Sequence, residues 1–295
     1  MAAPTYQRLL KNDATPTGYV VLGALTIFVG WSIAGVLFLS IGRAIRVDPP
    51  GTTSWITLLM TNFYLISLIP LSIWVARLLN RQAPGLLSSV VGRLRWKPLA
   101  WFAVAAVALE LVALLAVKVG LVSVLDNSKT GMAPDVVGVI LVALLTSTFQ
   151  AAGEEYFFRG YLLQGVGAFV RSPLVAVLVT TVLFTMAHGV WPWQSPALFL
   201  DRFAFGLLAG FLAIRTGGLE ASIAAHAANN VVTFVYAALT NSVGSSLGAT
   251  DAPWSLVILD ILKFAAFGAV AVLITRRENL ETTCKLPLAQ LPRMV

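Results

Sequence analysis

Eight apolar stretches follow one another in this chain, near 18–42, 54–76, 98–125, 136–158, 173–190, 196–215, 219–240 and 253–275. Crossing the hydrocarbon core of a bilayer takes ~20 residues of helix, and no other feature constrains the fold as strongly. Lipid offers no water to an unpaired N–H or C=O, so a spanning segment must pair these groups internally. A barrel strand would alternate apolar and polar residues, and these runs do not. The expectation is an all-α, polytopic membrane protein with about eight transmembrane helices. The breaks between runs, such as "DPPGTTS", "RQAPG", "NSKTGMAPD", "RSP", "WPWQSP" and "RTGG", are rich in turn formers.

Composition closes off the soluble alternative. Only 11% of the residues are charged, whereas soluble domains carry about 25%. A chain so poor in charge cannot cover itself with polar surface, so membrane lipids are its first expected partner. The formal charge of +7 is then loop charge facing anionic lipid, and no nucleic-acid partner is expected. Cys284 is the single cysteine, which excludes an internal disulfide; in the polar C-terminal tail it reads as a free thiol. Arg8 and Lys11 precede the first run, which is too long for a signal peptide and is expected to remain as a span.

Basic residues in short links set the orientation. Arg77, Arg81, Arg93, Arg95, Lys97, Arg159, Arg171, Arg215, Arg276 and Arg277 fall on one side if both termini are cytoplasmic. The opposite links carry Asp126, Asp135 and Asp251, with Arg43 and Arg46 as exceptions. Trp55, Trp96, Trp101, Trp191, Trp193 and Trp254 sit near span ends, as an interfacial belt should. The expected layout is a tail over 1–17, N-terminal helices over 18–134, a chemically distinct core over 135–240, a last helix over 241–277 and a tail over 278–295, with no internal repeat.

Polar residues inside such runs are costly and so point to function. In "QAAGEEYFFRGYLL" two glutamates, Glu154 and Glu155, end an uncharged run. The two histidines of the chain, His188 in "LFTMAHGVW" and His226 in "ASIAAHAANNVV", also lie in apolar runs of the same half. Each histidine alone reads better as helix–helix glue; two beside two glutamates read as function. Glu154 and His188 lie 17 residues on either side of residue 171. At ~1.5 Å per residue in antiparallel helices both sit about 25 Å from that turn, side by side.

On a helix Glu155 and Arg159 are ~40° apart and can pair, while Glu154 points ~140° away from Arg159. Glu155 is therefore expected as a clamp, leaving Glu154 as the general base. His226 and Asn230 share a face and offer two donors to one space, as an oxyanion requires. The set suits peptide hydrolysis by activated water. Glu154, His188 and His226 also supply enough ligands for zinc, and the two options stand side by side. The zinc-protease pattern H-E-x-x-H is absent.

"EEYFFR", "FTMAH" and "HAANN", in this order, resemble the E-E-x-x-x-R, F-x-x-x-H and H-x-x-x-N motifs of the CPBP family of intramembrane proteases. That family includes the type II CAAX prenyl endopeptidases and bacteriocin-immunity proteins. The resemblance covers about residues 135–240. It implies an endopeptidase in which Glu154 and His188 activate water, His226 and Asn230 form the oxyanion hole, and Glu155 and Arg159 support them. It implies a peptide or protein substrate, with a prenylated CaaX-type tail one class, and leaves zinc open. Glu220 departs from the family's frequent aromatic residue and is expected at the cytoplasmic mouth. A proton-coupled transporter and a catalytically idle immunity or scaffold protein are the competing readings.

The remaining signals have plainer readings. "GSSLG" at 244–248 matches a serine-hydrolase elbow but has no strand before it. Gly206 and Gly210 suit close helix packing. Glu110, Lys118, Asp201, Arg202, Asp260 and Lys263 lie in or near spans; Asp260 and Lys263 can pair, and Asp201 with Arg202 suits a substrate path.

Overall fold

The apolar runs fold as helices, and the breaks fall where the backbone loses a donor or needs a left-handed turn. A computed structural model describes residues 3–10, 18–45, 55–122 and 131–286. Lys11, Arg46 and Asp126 lie outside the described residues. The helices are α1 (Gly18–Ile45), α2 (Trp55–Ile66), α3 (Leu68–Leu78), α4 (Trp96–Lys118), α5 (Val136–Glu155), α6 (Leu163–Phe169), α7 (Pro173–Ala187), α8 (Pro196–Thr216), α9 (Glu220–Leu239), α10 (Val243–Leu247) and α11 (Trp254–Arg277).

The second run is one span broken into α2 and α3 at Ser67, three residues before Pro70, whose missing N–H and ring disrupt the helical ladder there. Both "SP" links start helices in the same way. Ser172 Oγ accepts from Val175 N–H and Ser195 Oγ from Leu198 N–H, with proline at the first helical position of α7 and α8. Gly217, at φ 74°, caps α8 in the left-handed conformation that glycine adopts without steric cost. Among the described residues there is no β-sheet, only the isolated bridges Thr5↔Thr283 and Ser89↔Gly218.

Among the described residues, six helical segments are long and apolar enough to cross a membrane: Gly18–Ile45, Trp55–Leu78, Trp96–Lys118, Val136–Phe169, Pro196–Thr216 and Trp254–Arg277. α7 is apolar but only 15 residues long. α9 has the length, but His226, Asn229 and Asn230 dilute its apolar character. The expected eight thus resolve into six spans by length and hydropathy, with α7 and α9 packed among them. α9 lies between α5 and α4, while α8 packs on α7 and α11. Gly206 and Gly210 make the α7–α8 approach close: a Cβ there would stand 2.8 Å from Thr181 Cγ2 and 2.9 Å from Val177 Cγ1.

The links that carry most of the arginines gather at one end of the bundle. Tyr6 Oη donates to Leu87 O, and Arg8 donates to Gly167 O and Val170 O. The Thr5↔Thr283 bridge brings the two terminal segments together. Three sequence expectations need correction here. Arg95 is not a loop charge: it is buried and forks onto Glu220, with its Nε 2.9 Å from Oε1 and its Nη2 2.6 Å from Oε2. Glu220 is accordingly a fully buried fastener of α9 rather than part of an open mouth. Arg159, counted above among the link charges, belongs to the core and is 1% exposed. Cys284 is a free thiol, as expected, but buried in the tail's contact with the N-terminal segment.

Candidate active site

Glu154 and Glu155 are the last two residues of α5, and the chain continues as a π-helical stretch, Tyr156–Leu162, before α6. Insertions of this kind widen a helix by one residue per turn and recur at functional sites. Glu155 Oε1 accepts from Arg159 Nη1 at 2.9 Å and from His226 Nδ1 at 2.9 Å. The expected Glu155–Arg159 clamp is present, and it also holds an imidazole. Arg159 is roofed by aromatics, its guanidinium carbon 4.1 Å from the Phe184 ring centroid and 5.6 Å from that of Phe205. A cation so placed is stabilised by the ring faces as well as by its carboxylate.

Glu154 faces the other way, as its rotation on the helix requires. Its Oε2 lies 3.8 Å from His188 Nε2 and 4.0 Å from His226 Nε2. The juxtaposition of Glu154 and His188 across the turn is thus observed, and the second histidine joins them. Both rings are held from behind. His188 Nδ1 is 2.8 Å from Phe184 O, an acceptor only, so it carries the proton there; His226 Nδ1–H donates to Glu155. Neutral His188 therefore presents its Nε2 lone pair to the space beside Glu154, and His226 can donate through Nε2 only as the imidazolium. Phe184, four residues before His188, packs at 4.5 Å from its ring and edge-on to His226 at 6.1 Å, while Phe205 meets His226 at 4.8 Å. His226 and Glu154 are buried; the His188 side chain is 29% exposed and forms the open side of the site, next to the stacked Trp191 and Trp193.

The third Glu154 contact escaped sequence reasoning. Gln150 Nε2 donates to Glu154 Oε1, and Gln150 Oε1 accepts from Asn230 Nδ2 at 2.8 Å. Gln150 lies four residues before Glu154 and so on the same face, which is the signal that was there to be read. Asn230 is thereby joined to the site through an amide rather than directly to a histidine. Asn229 lies one step further out, its Nδ2 donating to Asn230 Oδ1 at 3.3 Å and its Oδ1 accepting from Lys263 Nζ at 3.2 Å. Asp260 pairs with Lys263 at 2.7 Å, as their i, i+3 spacing predicts, and Asp201 pairs with the adjacent Arg202 at 2.8 Å. "GSSLG" folds as the short helix α10, without a strand.

Atoms sharing a tetrahedral zinc are about 3.3 Å apart. The 3.8 and 4.0 Å separations around Glu154 Oε2 are wider. They match two partners at about 2.8 Å from one water. Among the described residues no group of three or more His, Cys, Asp or Glu side chains is spaced to hold a metal ion.

Residues 136–232 match the family model of Rce1-like type II CAAX prenyl endopeptidases. The chain is also 33% identical over 108 residues to an uncharacterized protein, YyaK, of Bacillus subtilis. That alignment covers 36% of each chain, so the likeness spans about a third of that relative's length. The matched family segment contains every residue of the Glu–His–Asn cluster.

Proposed function

We propose, from the match of residues 136–232 to the Rce1-like type II CAAX prenyl endopeptidase family, that the chain is an intramembrane endopeptidase working by activated water. The observation that carries this reading is that His188 Nε2, at 3.8 Å, and His226 Nε2, at 4.0 Å, both face Glu154 Oε2, separations that leave a water-sized space between them and the carboxylate. A water there donates one proton toward Glu154 and is oriented by His188. As its oxygen attacks the scissile carbonyl carbon, Glu154 takes that proton. The carbonyl oxygen becomes the oxyanion and meets Nε2–H of His226, in this mechanism an imidazolium whose Nδ1–H is held by the Glu155 carboxylate, and an N–H of Asn230. Glu154 then delivers the proton to the amide nitrogen as the C–N bond breaks, giving a carboxylic acid and an amine. Glu155 and Arg159 keep His226 in place throughout.

The substrate is a membrane-associated peptide that reaches the site by lateral diffusion, a prenylated CaaX-type tail being the class the family suggests. The arginine-rich end of the bundle, with both termini, faces the cytoplasm by the excess of basic residues in its links. Zinc at Glu154, His188 and His226 would require those atoms to draw together by about half an ångström.

The test is cleavage of quenched fluorescent peptides, lipidated and not, by the purified full chain in lipid discs, with metal content measured on the same samples. Glu154→Gln should lose about a hundredfold or more in kcat, and Asn230→Ala a similar factor. A Glu154→Gln protein as fast as wild type would overturn the mechanism. Stoichiometric zinc whose removal abolishes cleavage would assign water activation to the metal. Proton-coupled uptake with no cleavage of any peptide would favour the transporter reading.

A further inference from the structure

The base is not held by its own helix alone. Four hydrogen bonds run in series from α11 through α9 to α5: Lys263 Nζ to Asn229 Oδ1 at 3.2 Å, Asn229 Nδ2 to Asn230 Oδ1 at 3.3 Å, Asn230 Nδ2 to Gln150 Oε1 at 2.8 Å, and Gln150 Nε2 to Glu154 Oε1. An amide can turn over and exchange its donor for its acceptor, but the ends of this series cannot. An ammonium only donates and an ionised carboxylate only accepts. Lys263 therefore forces an oxygen from Asn229, which forces a nitrogen toward Asn230, and so on to Glu154.

The lysine end is itself fixed. Its three protons meet three acceptors: Asp260 at 2.7 Å, Glu110 at 3.0 Å and Asn229. Lys263 and Glu110 are both buried, so the ammonium has no better partner to turn to. None of these residues touches the water-sized space, and hydrolysis as written above does not use them. We infer that Lys263, Asn229 and Gln150 form a one-way amide relay that positions the catalytic carboxylate and carboxamide. Through it Glu154 spends Oε1 on Gln150 and turns Oε2 to the two histidines. Asn230 keeps nitrogen, not oxygen, toward the site, leaving its second N–H for the oxyanion. Lys263, Asn229 and Gln150 are thus positioning residues, and their role rests on the endopeptidase reading.

The relay is broken in the middle by Asn229→Leu, close in shape and without charge. It loses its orienting end in the neutral triple variant Glu110→Gln, Asp260→Asn, Lys263→Met, which strands no buried charge. Both are compared with wild type as full chains in lipid discs, by kcat and KM on a cleaved peptide, by thermal unfolding, and by the ¹⁵N–¹H signals of the Asn230 and Gln150 side-chain amides. The expected result is a kcat lower by at least about tenfold with KM within about twofold, since small misplacements of catalytic groups act on the chemical step. The amide signals should shift in both variants, including molecules that remain fully folded. Wild-type kcat and unmoved amide signals in Asn229→Leu would overturn the relay. If wild type cuts no peptide, the endopeptidase reading falls by itself, and the amide signals alone decide whether the relay exists.

Discussion

Arg159 shows how one side chain can hold a site without joining its chemistry. Glu155, 0% exposed, and Arg159, 1% exposed, form a pair that no water reaches. Removing one member of such a pair leaves a bare charge in a medium that cannot solvate it, at a cost of about 3–5 kcal/mol. Arg159→Met should therefore lower thermal stability severely, and Glu155→Gln combined with Arg159→Met should recover much of the loss while cleavage stays low, because His226 has lost its carboxylate. Thermal unfolding of the single and double variants checks this. Equal stability of the two would contradict it. Of the residues that the structure gathers here, Glu154, Glu155, Arg159, His188 and His226 were legible because charge and imidazole stand out against an apolar run, and Asn230 because it lies four residues after His226. Gln150 was less so, since a single glutamine near a helix end carries no such contrast.

Elements place these residues. α7 and α8 approach closely because Gly206 and Gly210 present bare backbone to Thr181 and Val177, and His188 follows at the end of α7. Gly210→Leu should force the helices apart at a cost of about 1–3 kcal/mol. Because this moves His188 relative to Glu154, cleavage should fall more steeply than stability. Parallel assays on the folded fraction would reveal the difference, and unchanged specific activity would show that the approach is not needed. At the start of α8, Ser195 both caps the helix and donates to Asp251 in the link that precedes α11. Ser195→Ala should cost about 1 kcal/mol, read as a lower unfolding temperature. The prolines and serines behind these caps were visible in the sequence. The π-helical stretch after Glu155 was not, since its register depends on what α5 and α6 must each pack against.

At the scale of the whole molecule, one end of the bundle is tied by Arg95. Its side chain joins Glu220, Thr216 O and Glu281 O, and so links the entry to α4, the α8–α9 turn and the C-terminal tail. The terminal segments meet there across Thr5 and Thr283. In a Cys284→Ser background, Thr5→Cys with Thr283→Cys should form an intramolecular disulfide on mild oxidation, seen as faster migration on a non-reducing gel. Failure to cross-link would place the termini apart. Glu220→Gln should loosen the same end, exposing the tail to protease at a concentration that wild type withstands.

The sequence by itself determined the class of solvent, the helical architecture and which polar residues, Glu154, Glu155, His188, His226 and Asn230, gather into the candidate site. Each rests on a local fact: an uncharged run is too apolar for water, and a carboxylate or imidazole within it is too costly to go without a polar partner. Tertiary structure alone decided that Glu154 meets two histidines rather than one. It also decided that Arg95 and Glu220 are buried partners rather than surface charges, and that Lys263 reaches the site through three amides. Those facts depend on which faces of α4, α5, α8, α9 and α11 are pressed together. Burial then makes each polar group take whatever partner the packing supplies, and no spacing along the chain encodes that choice.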